Sequence, residues 1–314
     1  MVRTQLEHVR TVEDVVLLLQ RCRRLIVITG AGISVNCGIP DFRSPNGIYN
    51  TVDCEALNIP SPELLFDISY FRIDPIPFYT FSRNFYNQPS LQPSKTHMFI
   101  ANLEKQKKLL RNYTQNIDGI EKLAGISKSI ACHGTLQEFR CVKCRKRGVA
   151  PLIIENLIQH NSIPKCTCSS YMKPEITFFG ETFPKSMMKC MDRDIGKCDA
   201  ILVIGTSLKV GGSVLEILKK SDESIPQILI NKEAVHLSPK ISLGFDVSLL
   251  GCCDDIVAYL ETQLGWREKD SKLAFECNEI DNRVFRIAPS EPPIPVLAEP
   301  RETGVRTRKR RRRT

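Results

Sequence analysis

Apolar residues in this chain gather into two kinds of run. Across Val12–Arg21, Val15, Val16, Leu18 and Leu19 recur at helical spacing among polar neighbours, which predicts an amphipathic helix. Leu25–Thr29 follows as Leu-Ile-Val-Ile-Thr, a short unbroken apolar run rich in β-branched residues, and reads as a buried strand. Leu109–Thr114 reads as a second strand, 199–205 as a third, buried one and Gln227–Asn231 as a fourth. Helical spacing returns at 96–105, 214–219 and 255–264. Strands alternating with helices predict an α/β fold built on a doubly wound parallel sheet. Residues 40–93 carry eight prolines and predict loops and short helices rather than a sheet. Residues 141–168 are punctuated by cysteines and predict a smaller inserted module. No internal repeat is present.

Charge changes the picture at one end only. Seven of the positive charges lie in 306–313, Arg-Thr-Arg-Lys-Arg-Arg-Arg-Arg; taking those seven from the net +9 leaves +2 for the rest. A near-neutral body gives no case for an electrostatic nucleic-acid groove. No apolar stretch approaches the length of a membrane span, and the first ten residues lack the apolar centre of a secretory signal. A cytosolic or nuclear protein without membrane association is expected. In that setting the 13 cysteines are thiols or metal ligands rather than disulfides. Five prolines between 289 and 300, followed by the basic run, predict a disordered tail over 289–314. A nuclear-import signal, a nucleic-acid contact or a merely solvated terminus are the readings open for that run.

Four features carry chemistry. Gly30-Ala31-Gly32 follows the first strand and precedes a predicted helix, the arrangement that lets backbone approach a pyrophosphate. Val35 stands where the third glycine of the dinucleotide fingerprint belongs, and a strand–helix turn with no ligand fits equally well. Asp53 and Glu55 lie at the distance of a dehydrogenase's ribose carboxylate but in a proline-rich segment, so they read as solvated loop residues. Gln115-Asn116-Ile117-Asp118 and Gly205-Thr206-Ser207 also follow strands, where polar groups face the ligand crevice; Asp118 would also serve as a helix cap. His133 occupies a turn just before the cysteine module, a general-base candidate as well as an ordinary structural histidine. Cys141-x-x-Cys144 and Cys166-x-Cys168 form two close pairs, the spacing of a four-thiolate structural zinc site. The second pair is one residue short, and Cys190 and Cys198 are weaker substitutes for a shifted ligand.

In this order the motifs resemble the sirtuin family over about 12–265. They are Gly30-Ala-Gly-Ile-Ser34, Gly38-Ile-Pro-Asp-Phe-Arg43, Thr114-Gln-Asn-Ile-Asp118, His133-Gly134, the cysteine pairs, Phe178-Phe-Gly-Glu181 and Gly205-Thr-Ser-Leu208. The resemblance implies a Rossmann-like large domain over about 12–50, 92–134 and 174–265. It adds a small domain from about 51–91 with a zinc module over 135–173, then a C-terminal extension over 266–288. It implies an NAD-dependent protein-lysine deacetylase with NAD as cosubstrate and one structural Zn2+ per chain. The products would be free lysine, nicotinamide and O-acetyl-ADP-ribose. His133 is then the general base and Asn116 its catalytic companion. The implied cofactor contacts are Gly30, Ala31, Gly32, Ser34, Asp41, Phe42, Arg43, Tyr49, Gln115, Asn116, Ile117, Asp118, Gly205, Thr206, Ser207, Asn231, Lys232, Glu233 and Cys253. Thr177, Phe178, Phe179, Gly180 and Glu181 match the edge that pairs with substrate backbone, with Thr177 where the family carries an apolar residue; core packing is the alternative for Phe178 and Phe179.

Finer features, Ser61-Pro-Glu-Leu-Leu-Phe-Asp67, Phe78-Tyr-Thr-Phe81, Gly205-Thr-Ser-Leu-Lys-Val210 and Leu249-Leu-Gly-Cys-Cys-Asp254, resemble the class I fungal nuclear (Hst-type) sirtuins that deacetylate histones. That subgroup implies acetylated histone as substrate, chromatin and the import machinery as partners, and a nuclear location. A deacylase of longer acyl groups or a mono-ADP-ribosyltransferase on the same fold, an NAD-dependent dehydrogenase and a non-enzymatic chromatin-binding NAD sensor are the competing classes.

Overall fold

In a computed structural model of the chain, residues 3–86, 91–183, 185–209, 212–235, 244–267 and 274–290 are described. The strands among them are β1 (Leu25–Thr29), β2 (Leu109–Thr114), β3 (Ser129–Ala131), β4 (Gly134–Cys141), β5 (Arg147–Gly148), β6 (Met172–Ile176), β7 (Ala200–Ile204), β8 (Gln227–Asn231), β9 (Val247–Leu250), β10 (Phe275–Asp281) and β11 (Val284–Pro289). Eight of them form one sheet in the order β10-β11-β9-β8-β7-β1-β2-β3, parallel throughout except for the β10–β11 hairpin. Chain order reverses at β1, which pairs with β2 on one side and β7 on the other, and ligand crevices open at such switch points.

Side-chain alternation explains why β1 and β7 are apolar throughout. Leu25 and Val27 enter one buried cluster with Leu202 and Ile204, while Ile26 and Ile28 enter the opposite cluster with Ile201 and Val203. The first cluster is closed by Val15 and Leu19 of the helix Val12–Arg21, by Ile100 and Leu103 of Lys95–Lys105, and by Ile256 and Leu260 of Cys253–Gln263. The second is closed by Met187 and Met191 of Lys185–Ile195 and by Val214 and Ile217 of Gly212–Lys220. Helix starts follow their local signals. Thr11 and Asp14 form a reciprocal capping box on the first helix, and Ser94 and His97 do the same at 94–97.

A second unit stands beside the carboxyl edge of the sheet. β5-β4-β6 make a small antiparallel sheet, covered by the helix Ala150–His160. The proline-rich segment folds into short helical turns and the helices Ile68–Ile73 and Ile76–Tyr86, as its prolines predict. Both pack on a third core dominated by aromatic rings, including Phe66, Phe71, Phe78, Tyr79, Phe139 and Phe178. Neighbouring rings meet edge-on, Phe71 and Phe178 at 5.4 Å and 83°.

Two features differ from the sequence reading. After Gly30-Ala31-Gly32 the chain makes two short 3-10 turns, Ala31–Ile33 and Val35–Cys37, instead of the expected α-helix. Beyond residue 265, β10 and β11 extend the main sheet, and Phe285 and Ile287 enter its first cluster. Of the expected disordered tail, residues 291–314 lie outside the described residues, as does Val210 of the finer motif. No helix among the described residues is long and apolar enough to cross a membrane.

Candidate functional site

The loops leaving β1, β2, β3 and β7 meet at the carboxyl edge of the sheet, because the strands are parallel and adjacent. Their closeness explains the glycines. Gly30 N–H donates to Ile204 O at 3.2 Å and Gly32 N–H to Gly205 O at 2.8 Å. A Cβ on Gly32 would stand 2.8 Å from the Gly205 carbonyl, and one on Gly30 would stand 2.5 Å from Thr206 Cβ. Close approach of two strand-end loops, with no helix dipole behind it, is what these positions demand.

Across this seam runs a chain of polar contacts. Ser34 Oγ donates to Asp118 Oδ2 at 2.8 Å and accepts from Asn116 Nδ2 at 3.1 Å. Asp118 Oδ1 accepts Ile120 N–H at 2.9 Å, so the helix-capping role and the site role coexist in one carboxylate. Burial pushes the Asp118 carboxyl up, and burial beside Asp118 pushes Glu121 up to about 7. Burial first, and then the Asp118 carboxylate, disfavour ionisation of Glu121, so it holds its proton to a higher pH than a solvated carboxyl does. Thr206 Oγ1 donates to Gln115 Oε1 at 2.6 Å, while Gln115 Nε2 is buried with no partner among the described residues. An orphaned amide donor in a glycine-lined crevice fits an oxygen-rich ligand such as a ribose or phosphate.

His133 follows β3 directly. Cys132 N–H donates to Thr114 O at 2.8 Å, and His133 Nδ1 lies 2.9 Å from Gln115 O. A carbonyl only accepts, so Nδ1 carries the proton and Nε2 keeps its lone pair. The imidazole stacks on Phe183 at 5.9 Å and 28°. Burial, partly opposed by the Gln115 carbonyl, lowers its pKa below 6.5. A neutral, oriented imidazole with an open Nε2 is a competent general base at pH 7. The next residue, Gly134, has φ +77° and lies against the Glu175 backbone, which a side chain would strike.

The loop after β1 is held in a compact turn. Asp41 Oδ1 accepts from Arg43 N at 3.0 Å and Ser44 N at 2.8 Å. Phe42 packs on Tyr49 and Phe66 at 5.7 and 5.8 Å, and the exposed Arg43 guanidinium stands 5.4 Å over the Tyr49 ring. Beneath this loop lies a cavity with Ser34, Asn116 and Asp118 at its polar end, walled by Ala31, Phe42, Phe66, Phe78, Phe81, Phe85 and Ile117.

The remaining expected residues spread along the same edge. Ser207 is exposed at the end of β7. Asn231 closes β8, its Nδ2 donating to Glu233 O at 2.8 Å, with Lys232 and Glu233 exposed. Cys253 begins the last long helix against the Gly205 backbone, and burial pushes its thiol up to about 12. Asp53 caps Ala56 N–H and, like Glu55, is exposed in a loop, as expected. In the 177–181 segment, Thr177 N–H donates to His133 O at 2.7 Å. Phe178 is a core residue, 1% exposed. Phe179 has its amide on Phe66 O and its carbonyl on Ile68 N–H, so that residue's backbone is already paired within the chain.

The four cysteines converge. Their sulfurs all lie within 4.8 Å of one another, with Cys141–Cys168 and Cys144–Cys166 each at 3.5 Å. Zn–S bonds of about 2.3 Å in a tetrahedron place sulfurs about 3.8 Å apart, so the donor set fits a structural zinc. Backbone N–H groups of Lys143 and Cys144 both point at Cys141 Sγ at 3.4 Å, the knuckle that favours thiolate. The shortened second pair contributes both sulfurs, and neither Cys190 nor Cys198 belongs to the cluster.

Glu121, Phe183, Phe85 and Lys173 had no part in the sequence reading. Phe85 was detectable from the helical 78, 81, 85 spacing. Phe183 and the buried carboxyl of Glu121 carry no sequence signal.

A doubly wound sheet with a glycine-lined crevice, an oriented histidine and a thiolate cluster in a side module defines a nucleotide-binding α/β protein with an attached metal module. Residues 30–212 match the Sir2 family, and the chain belongs to that family. It is 44% identical over 269 residues to NAD-dependent protein deacetylase sirtuin-1 of Rattus norvegicus, covering 84% of this chain and 47% of that protein. It is 42% identical over 310 residues to NAD-dependent histone deacetylase sirtuin-1 of Drosophila melanogaster, covering 88% and 37%. Against sir-2.1 of Caenorhabditis elegans, an NAD-dependent protein deacetylase, identity is 40% over 264 residues, covering 84% and 42%. The chain thus spans about half or less of these relatives' length. A structure solved in work on the mechanism and regulation of Sir2 enzymes superposes with a TM-score of 0.70 at 27% identity, covering 81% of this chain and 97% of that one.

Proposed function

We propose that this protein is an NAD-dependent protein-lysine deacetylase. The observation that carries the reading is His133, its Nδ1 fixed on the Gln115 carbonyl, in the turn after β3 at the same carboxyl edge of the sheet as the Gly30–Ser34, Gln115–Asp118 and Gly205–Ser207 loops. NAD lies along these loops, its phosphates and riboses served by Gly30, Ala31, Gly32, Ser34, Arg43, Gln115, Thr206, Ser207, Asn231, Lys232 and Glu233, with Cys253 beside the adenine. Asn116, Ile117 and Asp118 bound the nicotinamide end, and Asp41, Phe42 and Tyr49 cover it. The acetyl-lysine oxygen attacks the nicotinamide-bearing ribose carbon and nicotinamide leaves. His133 Nε2 then takes the proton of a neighbouring ribose hydroxyl, whose oxygen attacks the imidate carbon; one water adds there, the C–N bond to lysine breaks with the proton going to the departing amine, and the acetyl group stays on ADP-ribose. An amide oxygen is a weak nucleophile, so orientation and exclusion of water by the Phe42 loop supply much of the acceleration. Zinc at Cys141, Cys144, Cys166 and Cys168 is structural, since four thiolates leave no open coordination position.

The catalytic unit in this reading is 12–265, with the hairpin 275–289 as an added edge of its sheet. The finer motifs support a fungal nuclear type of sirtuin, and the histone deacetylase among the relatives supports acetylated histone as the substrate. Chromatin and the import machinery are then its partners, the latter through 306–313. Mass spectrometry of acetylated histone peptides incubated with the protein and NAD tests the reading. It expects loss of the acetyl group with matching O-acetyl-ADP-ribose. Peptides that keep their acetyl groups while NAD stays intact would refute it.

A further inference from the structure

Lys173 lies on β6, in the wall between the cysteine module and the 177–181 segment, with its side chain 8% exposed. A buried ammonium is costly unless its protons find acceptors. Nζ donates to Ile176 O at 2.6 Å and to Pro174 O at 3.1 Å, and it meets Glu181 Oε2 at 2.9 Å. It also stands 4.2 Å from the centroid of the Phe178 ring. The same Glu181 oxygen accepts Phe178 N–H at 2.9 Å. Between these two anchors, Thr177 N–H donates to the carbonyl of His133. One cation thereby fixes both ends of the stretch whose middle is tied to the histidine. Of the other charges that reach it, Arg145 disfavours the ammonium, and Glu175, itself paired with Arg140, favours it.

Stability alone is a weak reason for such a pair, because replacing both partners by apolar side chains of similar volume is often neutral or stabilising, whereas removing one strands the other. What the charge adds is a defined geometry for Glu181, and through it for the backbone after Phe178. We propose that Lys173 is a positioning residue for substrate: through Glu181 and Ile176 it holds the 177–181 backbone in the geometry against which an extended acetyl-lysine peptide aligns. The proposal rests on the deacetylase reading above. Without the cation, Glu181, whose side chain is 25% exposed, turns to solvent and releases Phe178 N–H. The NAD crevice is built from other loops and stays as it is.

Steady-state kinetics of zinc-loaded Lys173→Met, Glu181→Gln and the double variant test this, with zinc content measured for each. Lys173→Met is expected to raise the peptide KM about tenfold, the scale of one ionic hydrogen bond. The NAD KM and kcat should stay within about threefold. Glu181→Gln should raise the peptide KM in the same direction, and the double variant should be no worse than the poorer single one, since both remove one contact. Should Lys173→Met fail to fold, Glu181→Gln decides alone. Unchanged peptide KM in the soluble variants, additive effects, or a parallel rise of both KM values would overturn the proposal. A wild-type protein that does not deacetylate at all would remove the functional reading, and this proposal with it.

Discussion

At the scale of single residues, the site works by withholding water from groups whose charge matters. His133 gives its Nδ1 proton to a backbone carbonyl and is buried enough to stay neutral, so activity should be flat through neutral pH. It should fall on the acid side, below the ordinary histidine value of 6.5. His133→Ala should leave the far-UV circular dichroism unchanged and reduce deacetylation about a hundredfold to ten-thousandfold. A variant within a few-fold of wild type would remove His133 from the role of base. Glu121 and His97 make an opposed pair. Glu121, raised to about 7 from 4.5, stabilises the fold below pH 4.5, and that stability is lost as pH rises through 7. Burial lowers the His97 pKa from 6.5 to about 4, so its contribution is present above pH 6.5 and is lost as pH falls through 4. Glu121→Gln mimics the protonated acid. Its Tm should match wild type near pH 5 and exceed it near pH 8 by about 5 °C, the worth of about 2 kcal/mol. A difference that does not grow with pH would contradict this account. His133 and Asn116 were legible in the sequence because their motifs sit at strand ends. Glu121 was not, because the burial that chiefly raises it is created by the fold, although Asp118 lies only three residues away.

At the scale of elements, what was readable tracks burial. β1, β7 and β8 are largely apolar runs covered on both faces, and the sequence marks them clearly; β2 carries Arg111 and Asn112 among its apolar residues. β3 is three half-buried residues and β5 is two residues, too short for any period to register. The β10–β11 hairpin is an edge with one mostly solvated strand, so half of its signal is charge. The glycine turn follows β1 as expected, but two 3-10 turns stand where the helix was expected. Gly30 and Gly32 are needed because the β1 and β7 loops touch, a contact between residues about 175 positions apart that no local pattern reveals. The cysteine module was legible from spacing alone, including its shortened knuckle. Cys141→Ser should lower bound zinc from about one per chain and destabilise the β4–β5–β6 unit, since the binding energy of a structural zinc is folding energy. Metal analysis with thermal denaturation checks this. A metal-free preparation with wild-type Tm and activity would refute a structural zinc.

At the scale of the whole molecule, one sheet carries two kinds of attachment. The aromatic layer walls the cavity that holds Ser34, Asn116 and Asp118, while the hairpin 275–289 lengthens the sheet at the far side from β3. The basic run 306–313 lies beyond these elements in sequence and outside every motif assigned to the site. On the nuclear reading proposed above, deleting 301–314 should move the protein out of the nucleus and leave deacetylation of short peptides within about twofold. Fluorescence imaging of tagged protein, alongside peptide kinetics, measures both. A truncated protein that stays nuclear would refute the targeting role, and a sharp loss of peptide activity would place the tail at the site. The central claim is that this crevice consumes NAD to deacetylate lysine. Its most direct measurement follows nicotinamide release and absorbance of reduced cofactor in the same reaction with an acetyl-lysine peptide. The account predicts one nicotinamide per lysine freed and no reduced cofactor. Reduced cofactor without nicotinamide release, or no turnover of NAD by zinc-loaded protein, would contradict it.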